Sequence, residues 1–351
     1  MKKIRVLIVE DSLAVRALLE YIIGCDARLE VAATASSAEE AFELLQQLTP
    51  DVIAMDIRLP GMDGLEATRR IMSTSPIPIV VVAASVESQS RNFAAIEALR
   101  AGALTLLEKP VGTTHVDYQT LAERLCTQLV LMSQVNLVQA QRARRQRPVP
   151  PPARPRAAAG GYRMLGIACS TGGPGALAQL LKALGPDFPL PILLVQHMMS
   201  NFVAGFAAWL ANVCPLAVEV VEDGRIPSAG TVHLAPAERH LRLQGTRLWL
   251  DEDEPVCGQR PSGTVLLESM ARSLGPGALG IVLTGMGDDG AAGLLAIRAA
   301  GGYTIAEDQS TALVYGMPAA AVDAGAVCES LPLTGIAARV LQLAPSRAEV
   351  A

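Results

Sequence analysis

The chain has 351 residues, half of them hydrophobic, 18% charged and only 3% aromatic, with a formal net charge of −5. Such a composition excludes a disordered chain and gives no overall attraction to nucleic acid or an anionic membrane. The length suits about two domains of roughly 150 residues, each with an aliphatic core.

In chain order, the apolar run after Met1-Lys2-Lys3 is interrupted by Arg5 and stopped by Glu10-Asp11, too short for a signal-peptide core. No stretch approaches the roughly 20 apolar residues that span a bilayer, so a cytoplasmic protein without membrane insertion is expected. Ile4 to Val9 is strand-like and Leu13 to Ile23 has helical spacing. Val31 to Ala33, Val52 to Met55, Ile79 to Ala83 and Leu104 to Leu107 follow as short apolar runs between helical segments, the pattern of a doubly wound parallel sheet.

Between Gln139 and Gly161 the sequence QAQRARRQRPVPPPARPRAAAGG has successive prolines and no apolar period, which makes it a semi-rigid linker. Its arginines are expected to be solvated, with docking on an acidic surface or a membrane as the alternative. Strand-like runs then recur at Met164 to Ala168, Ile192 to Gln196, Val218 to Val221, Thr231 to Leu234 and Leu279 to Thr284, giving a second α/β unit. The six cysteines, Cys25, Cys126, Cys169, Cys214, Cys257 and Cys328, are dispersed without Cys-x-x-Cys or His-Cys spacing, and read as reduced packing residues.

A parallel sheet in the first unit brings Glu10-Asp11, after the first strand, to the same edge as Asp56, after the third. Three clustered carboxylates repel one another unless a divalent cation compensates, and an all-oxygen site suits Mg²⁺. With a cation bound, one carboxylate can act as nucleophile toward a phosphoryl group; Asp56, followed by the tight loop Pro60-Gly61-Met62-Asp63-Gly64, is the candidate. Lys109 ends a strand beside Pro110, either solvated or reaching a phosphoryl oxygen.

Glu10-Asp11, Asp56 in DVIAMDIRLPGMDG and Lys109-Pro110 together make residues 1–125 similar to the receiver domain of bacterial two-component response regulators. The resemblance implies a flavodoxin-like fold, Mg²⁺ held by Glu10, Asp11 and Asp56, phosphorylation of Asp56 by a partner histidine kinase, and Lys109 as the phosphoryl sensor. Ala83 stands where that family places Thr or Ser; Ser85 lies two residues on.

In the second unit, Ser170 in Cys169-Ser170-Thr171-Gly172-Gly173-Pro174 lies at a strand-to-helix turn. Free N–H groups and the helix dipole there can stabilise an oxyanion, but Ser and Thr are also good N-caps, and a phosphate-binding loop is a further reading. The glycines fit neither G-x-G-x-x-G nor G-x-x-x-x-G-K-[ST]. Of four histidines, His197 follows a strand directly and is the candidate base; His115 ends the first unit, His233 lies within a strand and His240 beyond it in a polar stretch. Thr284-Gly285-Met286-Gly287-Asp288-Asp289-Gly290, after another strand, supplies an orienting carboxylate or simply a turn.

Ser170-Thr171-Gly172-Gly173-Pro174, Gln196-His197-Met198, Arg260-Pro261-Ser262, TGMGDDG at 284–290 and Tyr315-Gly316-Met317-Pro318 make residues 162–345 similar to the catalytic domain of the chemotaxis protein-glutamate methylesterase (CheB) family. The resemblance implies a Rossmann-like second domain, so the expected architecture is two doubly wound parallel-sheet α/β domains: residues 1–125, a helical tail and linker over 126–161, and residues 162–345. It further implies Ser170 as nucleophile, His197 as base, Asp289 as orienting acid, and Thr171 and Met286 as oxyanion or substrate support, with Asp288 at a variable position.

The implied substrates are glutamyl γ-methyl esters and certain glutamines of methyl-accepting chemoreceptors, hydrolysed without a cofactor under control of a chemotaxis histidine kinase. Ala168-Cys169 replace the usual Gly-Ala before the serine, and Thr264 stands where an Asp is usual, a change expected to bear on substrate docking. Two other classes stay open: a response regulator with a binding-only output, for which no basic recognition helix argues DNA, and a dinucleotide-dependent enzyme.

Overall fold

The computed structural model describes residues 2–83, 97–98, 101–110, 118–135 and 161–345; Ser85, His115 and residues 139–160 of the expected linker lie outside the described residues. Two units are present, Met1–Val138 and Gln139–Ala351.

The first unit is built on β1 (Ile4–Val9), β2 (Leu29–Ala35), β3 (Val52–Met55), β4 (Ile79–Ala83) and β5 (Thr105–Glu108), all parallel, in the order β2-β1-β3-β4-β5. Helices cover both faces of such a sheet, so its inner strands are nearly continuous apolar runs. Every residue of VIAM in β3 and IVVVA in β4 is buried. β2 lies at an edge and outruns the apolar run expected there, because pairing with β1 from Ile4↔Leu29 onward carries the ladder through exposed Glu30.

Helices Leu13–Cys25, Ala38–Gln47 and Gly64–Thr74 begin at Ser12, Ser37 and Asp63, whose side chains accept from the N–H of Val15, Glu40 and Glu66. Each such cap contributes about 1 kcal/mol. Gly64 is required by close approach, since a Cβ there would lie 1.8 Å from the Asp56 carbonyl oxygen. The helix Tyr118–Ser133 buries Leu125, Cys126, Leu129 and Met132 and packs on β1, β3, β4 and β5.

The second unit has a seven-stranded parallel sheet in the order β14-β13-β12-β6-β7-β9-β8. Its strands are β6 (Met164–Cys169), β7 (Ile192–Gln196), β8 (Ala217–Val220), β9 (Thr231–Leu234), β12 (Ala278–Val282), β13 (Tyr303–Glu307) and β14 (Glu329–Leu331). The last two were not expected: β13 mixes polar and apolar residues, and β14 is three residues long at an edge.

An antiparallel hairpin, β10 (His240–Gln244) and β11 (Arg247–Asp251), occupies the stretch read as polar. Its alternation turns Leu241, Leu243, Leu248 and Leu250 inward against Leu266, Leu267, Met270 and Leu274 of the helix Gly263–Leu274. Each buried leucine contributes roughly 1.5–3 kcal/mol, and Ser269 Oγ accepts from Leu243 N at 2.9 Å to fix the register of hairpin on helix. The helix thus has a firm base, and its N-terminus faces the site described next. Among the described residues no helix is long and apolar enough to cross a membrane.

Candidate active site

In the first unit, Val9↔Met55 pairing sets Glu10 beside Asp56, and Asp56 N donates to Val9 O at 2.9 Å. Glu10 and Asp56 are buried while Asp11 is exposed, and each offers an oxygen within 4.8 Å of the others. Lys109 Nζ pairs with Glu10 Oε2 and Asp56 Oδ2, both at 2.7 Å. Burial pushes the Glu10 carboxyl up, with the Asp56 charge adding and Lys109 opposing. One lysine against three carboxylates leaves negative charge uncompensated, and the donors are all hard oxygens, so the residues fit Mg²⁺. Ala83, the last residue of β4, brings no hydroxyl to this edge; its carbonyl accepts from Lys109 N at 2.8 Å.

In the second unit the chain leaves β6 to β7 on one side and later returns to β12 on the other. A crevice opens at such a reversal, outside the carboxyl ends of the strands. Ser170 follows β6, His197 follows β7 and Asp289 lies in the loop after β12, so all three sequence candidates come to this one edge. Cys169↔Gln196 and Ala168↔Val282 pairing sets their spacing.

The N-cap of the helix Gly173–Leu184 is Gly172, with no side-chain cap and Pro174 in the first turn. Ser170 is therefore not the cap, one of the readings its position allowed. Its N donates to Thr284 O at 3.1 Å and its O accepts from Gly173 N at 2.8 Å. The adjoining Cys169 is fully buried, and burial, with the Glu307 charge adding, pushes its thiol well above the ordinary range, which leaves it inert. Cys126 and Cys214 are buried as well, but Cys25, Cys257 and Cys328 are exposed, contrary to a uniform packing role.

His197 Nε2 lies 2.8 Å from Asp289 Oδ2, and Nδ1 is buried without a hydrogen-bond partner. Asp289, 2% exposed, also accepts from Gly263 N at 2.6 Å, Thr264 N at 2.9 Å and Ser262 Oγ at 2.6 Å. It thus sits on the N-terminus of the helix Gly263–Leu274, whose cap is Ser262. Burial alone would raise its pKa; the His197 ring, the Ser262 hydroxyl and the Thr264 N–H outweigh burial and hold it at about 2. The carboxylate is charged, oriented and aimed at the imidazole.

Thr264 is buried and accepts from Gly290 N at 2.7 Å, which anchors the Asp289 loop. Asp288 is exposed, as is Met286, while Thr171 is buried. His240 is buried, accepting from Ser262 N at Nδ1 (3.2 Å) and reaching Glu254 O from Nε2 (3.1 Å), so it supports the cap from behind. His233 is held between Glu219 and Ser228 N, away from this edge.

Three contributors were not assigned roles from the residues alone. Ser262 orients Asp289, and its sequence signal was its place in the Arg260-Pro261-Ser262 motif. Thr284 binds the turns together: its hydroxyl donates to Thr171 O and accepts from Val314 N, both at 2.9 Å, while its N donates to Glu307 Oε2 at 2.9 Å. Gln196, buried, spans the Ser170 and His197 turns. Tyr315-Gly316-Met317 folds onto the same loop, with Gly316 N and Met317 N donating to Gly285 O at 3.1 and 2.8 Å.

A family model described as CheB methylesterase matches residues 165–340, and one described as response regulator receiver domain matches residues 6–118. The protein-glutamate methylesterase/protein-glutamine glutaminase 2 of Paramagnetospirillum magneticum is 54% identical over 346 residues, covering 98% of both chains. Enzyme 4 of the same name in Myxococcus xanthus is 42% identical over 340 residues, covering 96% of both. Among solved structures, the catalytic domain of the Thermotoga maritima CheB methylesterase is 33% identical with a TM-score of 0.50, covering 52% of this chain and 98% of that one. With matching domain models, relatives along its whole length and the expected parallel-sheet α/β folds, this chain belongs to the CheB methylesterase family and carries a response regulator receiver domain.

Proposed function

We propose that the protein hydrolyses glutamyl γ-methyl esters, and deamidates specific glutamines, on methyl-accepting chemoreceptors, with Ser170 as nucleophile, His197 as base and Asp289 as orienting acid. The observation that carries this reading is the His197–Asp289 pair at the edge that holds Ser170, with one ring nitrogen taken by the carboxylate and the other unpartnered. His197 Nδ1 takes the Ser170 proton as Oγ bonds to the ester carbonyl carbon. The proton passes to the departing methoxide, giving methanol and an acyl-enzyme. Water, deprotonated by the same ring, then cleaves the acyl bond to give glutamate and free Ser170. With a glutamine the leaving group is ammonia.

Main-chain N–H groups of the Thr171 turn and of Met286, beside the uncapped helix N-terminus, supply the oxyanion donors. General-base assistance is worth roughly 10²–10⁴ in rate and an oxyanion donor roughly 10²–10³. The orienting acid works because it is already charged and fixed before substrate arrives.

On the receiver, Glu10, Asp11 and Asp56 would hold Mg²⁺, which when bound neutralises charge on the phosphoryl oxygens. Asp56 accepts the phosphoryl group from a histidine kinase and Lys109 pairs with it, and the esterase rises in response, giving receptor adaptation in a cytoplasmic signalling pathway. The reading rests on the charge and composition of the pocket.

The test is methanol release from methylated receptor, with and without a small acyl-phosphate donor. Ser170→Ala should abolish turnover with the fold intact, and Asp56→Asn should keep basal turnover but lose the response. Wild-type methanol release by Ser170→Ala would sink the assignment.

A further inference from the structure

We propose that Gln196 is a positioning residue that sets the separation of the Ser170 and His197 turns by donating one N–H to a main-chain carbonyl in each; the proposal rests on those two residues being nucleophile and base. The Nε2 group lies 2.9 Å from Ser170 O and 3.0 Å from His197 O. A primary amide has two N–H donors, and both are spent here. Its carbonyl Oε1 accepts from the Cys169 thiol at 3.1 Å, so the whole amide is engaged, and the residue is 4% exposed.

The place in the ladder explains why such a brace is needed. Cys169↔Gln196 is the final register pair of β6 and β7, followed by the bond from His197 N to Cys169 O at 3.0 Å. Beyond that point the two strands diverge into separate turns, and the regular ladder no longer fixes their distance. The Gln196 amide crosses the gap just where Ser170 and His197 leave the sheet. Because the strand places Gln196 one residue before the base, its side chain is fixed at its root by β-sheet pairing and at its tip by both turns.

The nucleophile turn is built to accept this side chain. Gly173 approaches so closely that a Cβ there would lie 2.1 Å from Gln196 Oε1, so glycine at 173 makes room for the amide. Burial keeps the Cys169 thiol protonated; its single proton has Gln196 Oε1 at 3.1 Å as the nearer acceptor and Val195 O at 3.7 Å as the farther, and the nearer contact helps orient the amide with its N–H groups toward the two carbonyls. A glutamine that merely filled the core would not direct both donors at the two turns carrying nucleophile and base. Misplacing reacting groups by about 1 Å can cost about 10² in rate, whereas receptor docking does not involve this buried amide.

The experiment uses the full chain. Gln196→Met keeps length and bulk but donates nothing; Gln196→Glu keeps shape but only accepts. Each is compared with wild type and Ser170→Ala in methanol release from methylated receptor, in phosphonylation of Ser170 by a fluorophosphonate, and in thermal unfolding. The expected result is a kcat about 10²-fold lower with KM within about twofold, a matching fall in the fluorophosphonate rate, and a retained cooperative transition.

A kcat loss of less than about tenfold in the folded variants, or a loss carried by KM, overturns the proposal. If Gln196→Met does not unfold cooperatively, Gln196→Glu is judged by the same criteria; if neither does, Gln196 is a folding element and the proposal falls. Ser170→Ala separates the two levels. Turnover by that variant overturns the nucleophile assignment itself, whereas an inactive Ser170→Ala beside a fully active Gln196→Met overturns the role of Gln196 alone.

Discussion

His197 presents Nε2, not Nδ1, to Asp289: Nε2 is 2.8 Å from Oδ2, and Nδ1 on the other side of the ring is buried without a partner. A carboxylate can only accept, so the neutral ring carries its proton on Nε2 and keeps the Nδ1 lone pair for the nucleophile. Long-range ¹⁵N–¹H correlation spectra of ¹⁵N-histidine protein should show Nε2–H as the tautomer of the neutral His197 ring. An Nδ1–H pattern would contradict the proposed proton path.

Ser262→Ala removes a hydroxyl that donates to Asp289 Oδ1 and caps the helix Gly263–Leu274. Losing one partner of a buried carboxylate, together with a cap, should destabilise the second unit by about 1–3 kcal/mol. Esterase turnover should fall because Asp289 is less firmly aimed, with KM little changed. Urea unfolding and steady-state kinetics check both parts, and unchanged values would show the cap to be idle.

The Asp289 carboxyl, held at about 2 against an ordinary value of 3.8, makes a stability contribution of definite sign. A depressed folded pKa means the unfolded chain binds the proton more readily on acidification. The contribution is therefore complete above about pH 4 and lost as pH falls through about 2, with a size of roughly 2 kcal/mol. Denaturant unfolding between pH 2 and 5 should show this slope in the wild type and its absence in Asp289→Asn; parallel curves would refute it.

Lys109 pairs with both Glu10 and Asp56 at 2.7 Å, so Lys109→Met leaves two buried carboxylates facing one another. The variant should keep basal methanol release while its response to an acyl-phosphate donor drops severalfold, since the esterase residues are untouched. A normal response would remove Lys109 from the switch.

Much of this arrangement was legible in the chain. The largely apolar runs at Ile4 to Val9, Val52 to Met55, Ile79 to Ala83 and Ile192 to Gln196 announced inner parallel strands because a sheet covered on both faces favours apolar residues on each. Residues directly after such strands share the carboxyl edge of their own sheet because the strands are parallel: Glu10 with Asp56 in the first unit, Ser170 with His197 in the second. Where that logic weakened, so did the reading: β13 and β14 carry polar residues, and the hairpin β10–β11 looked polar because only alternate residues face the core.

By itself, then, the sequence determined the strands that end in Asp56, Ser170 and His197, since the apolar run of a buried strand is a local feature of the chain. Only the tertiary structure decided which imidazole nitrogen faces Asp289, that the cap Ser262 grips it across 27 positions, and that Gln196 ties two turns together. A hydrogen bond is set by ångström-scale distance and direction between groups far apart in the chain, and those exist only once the sheet has closed its register.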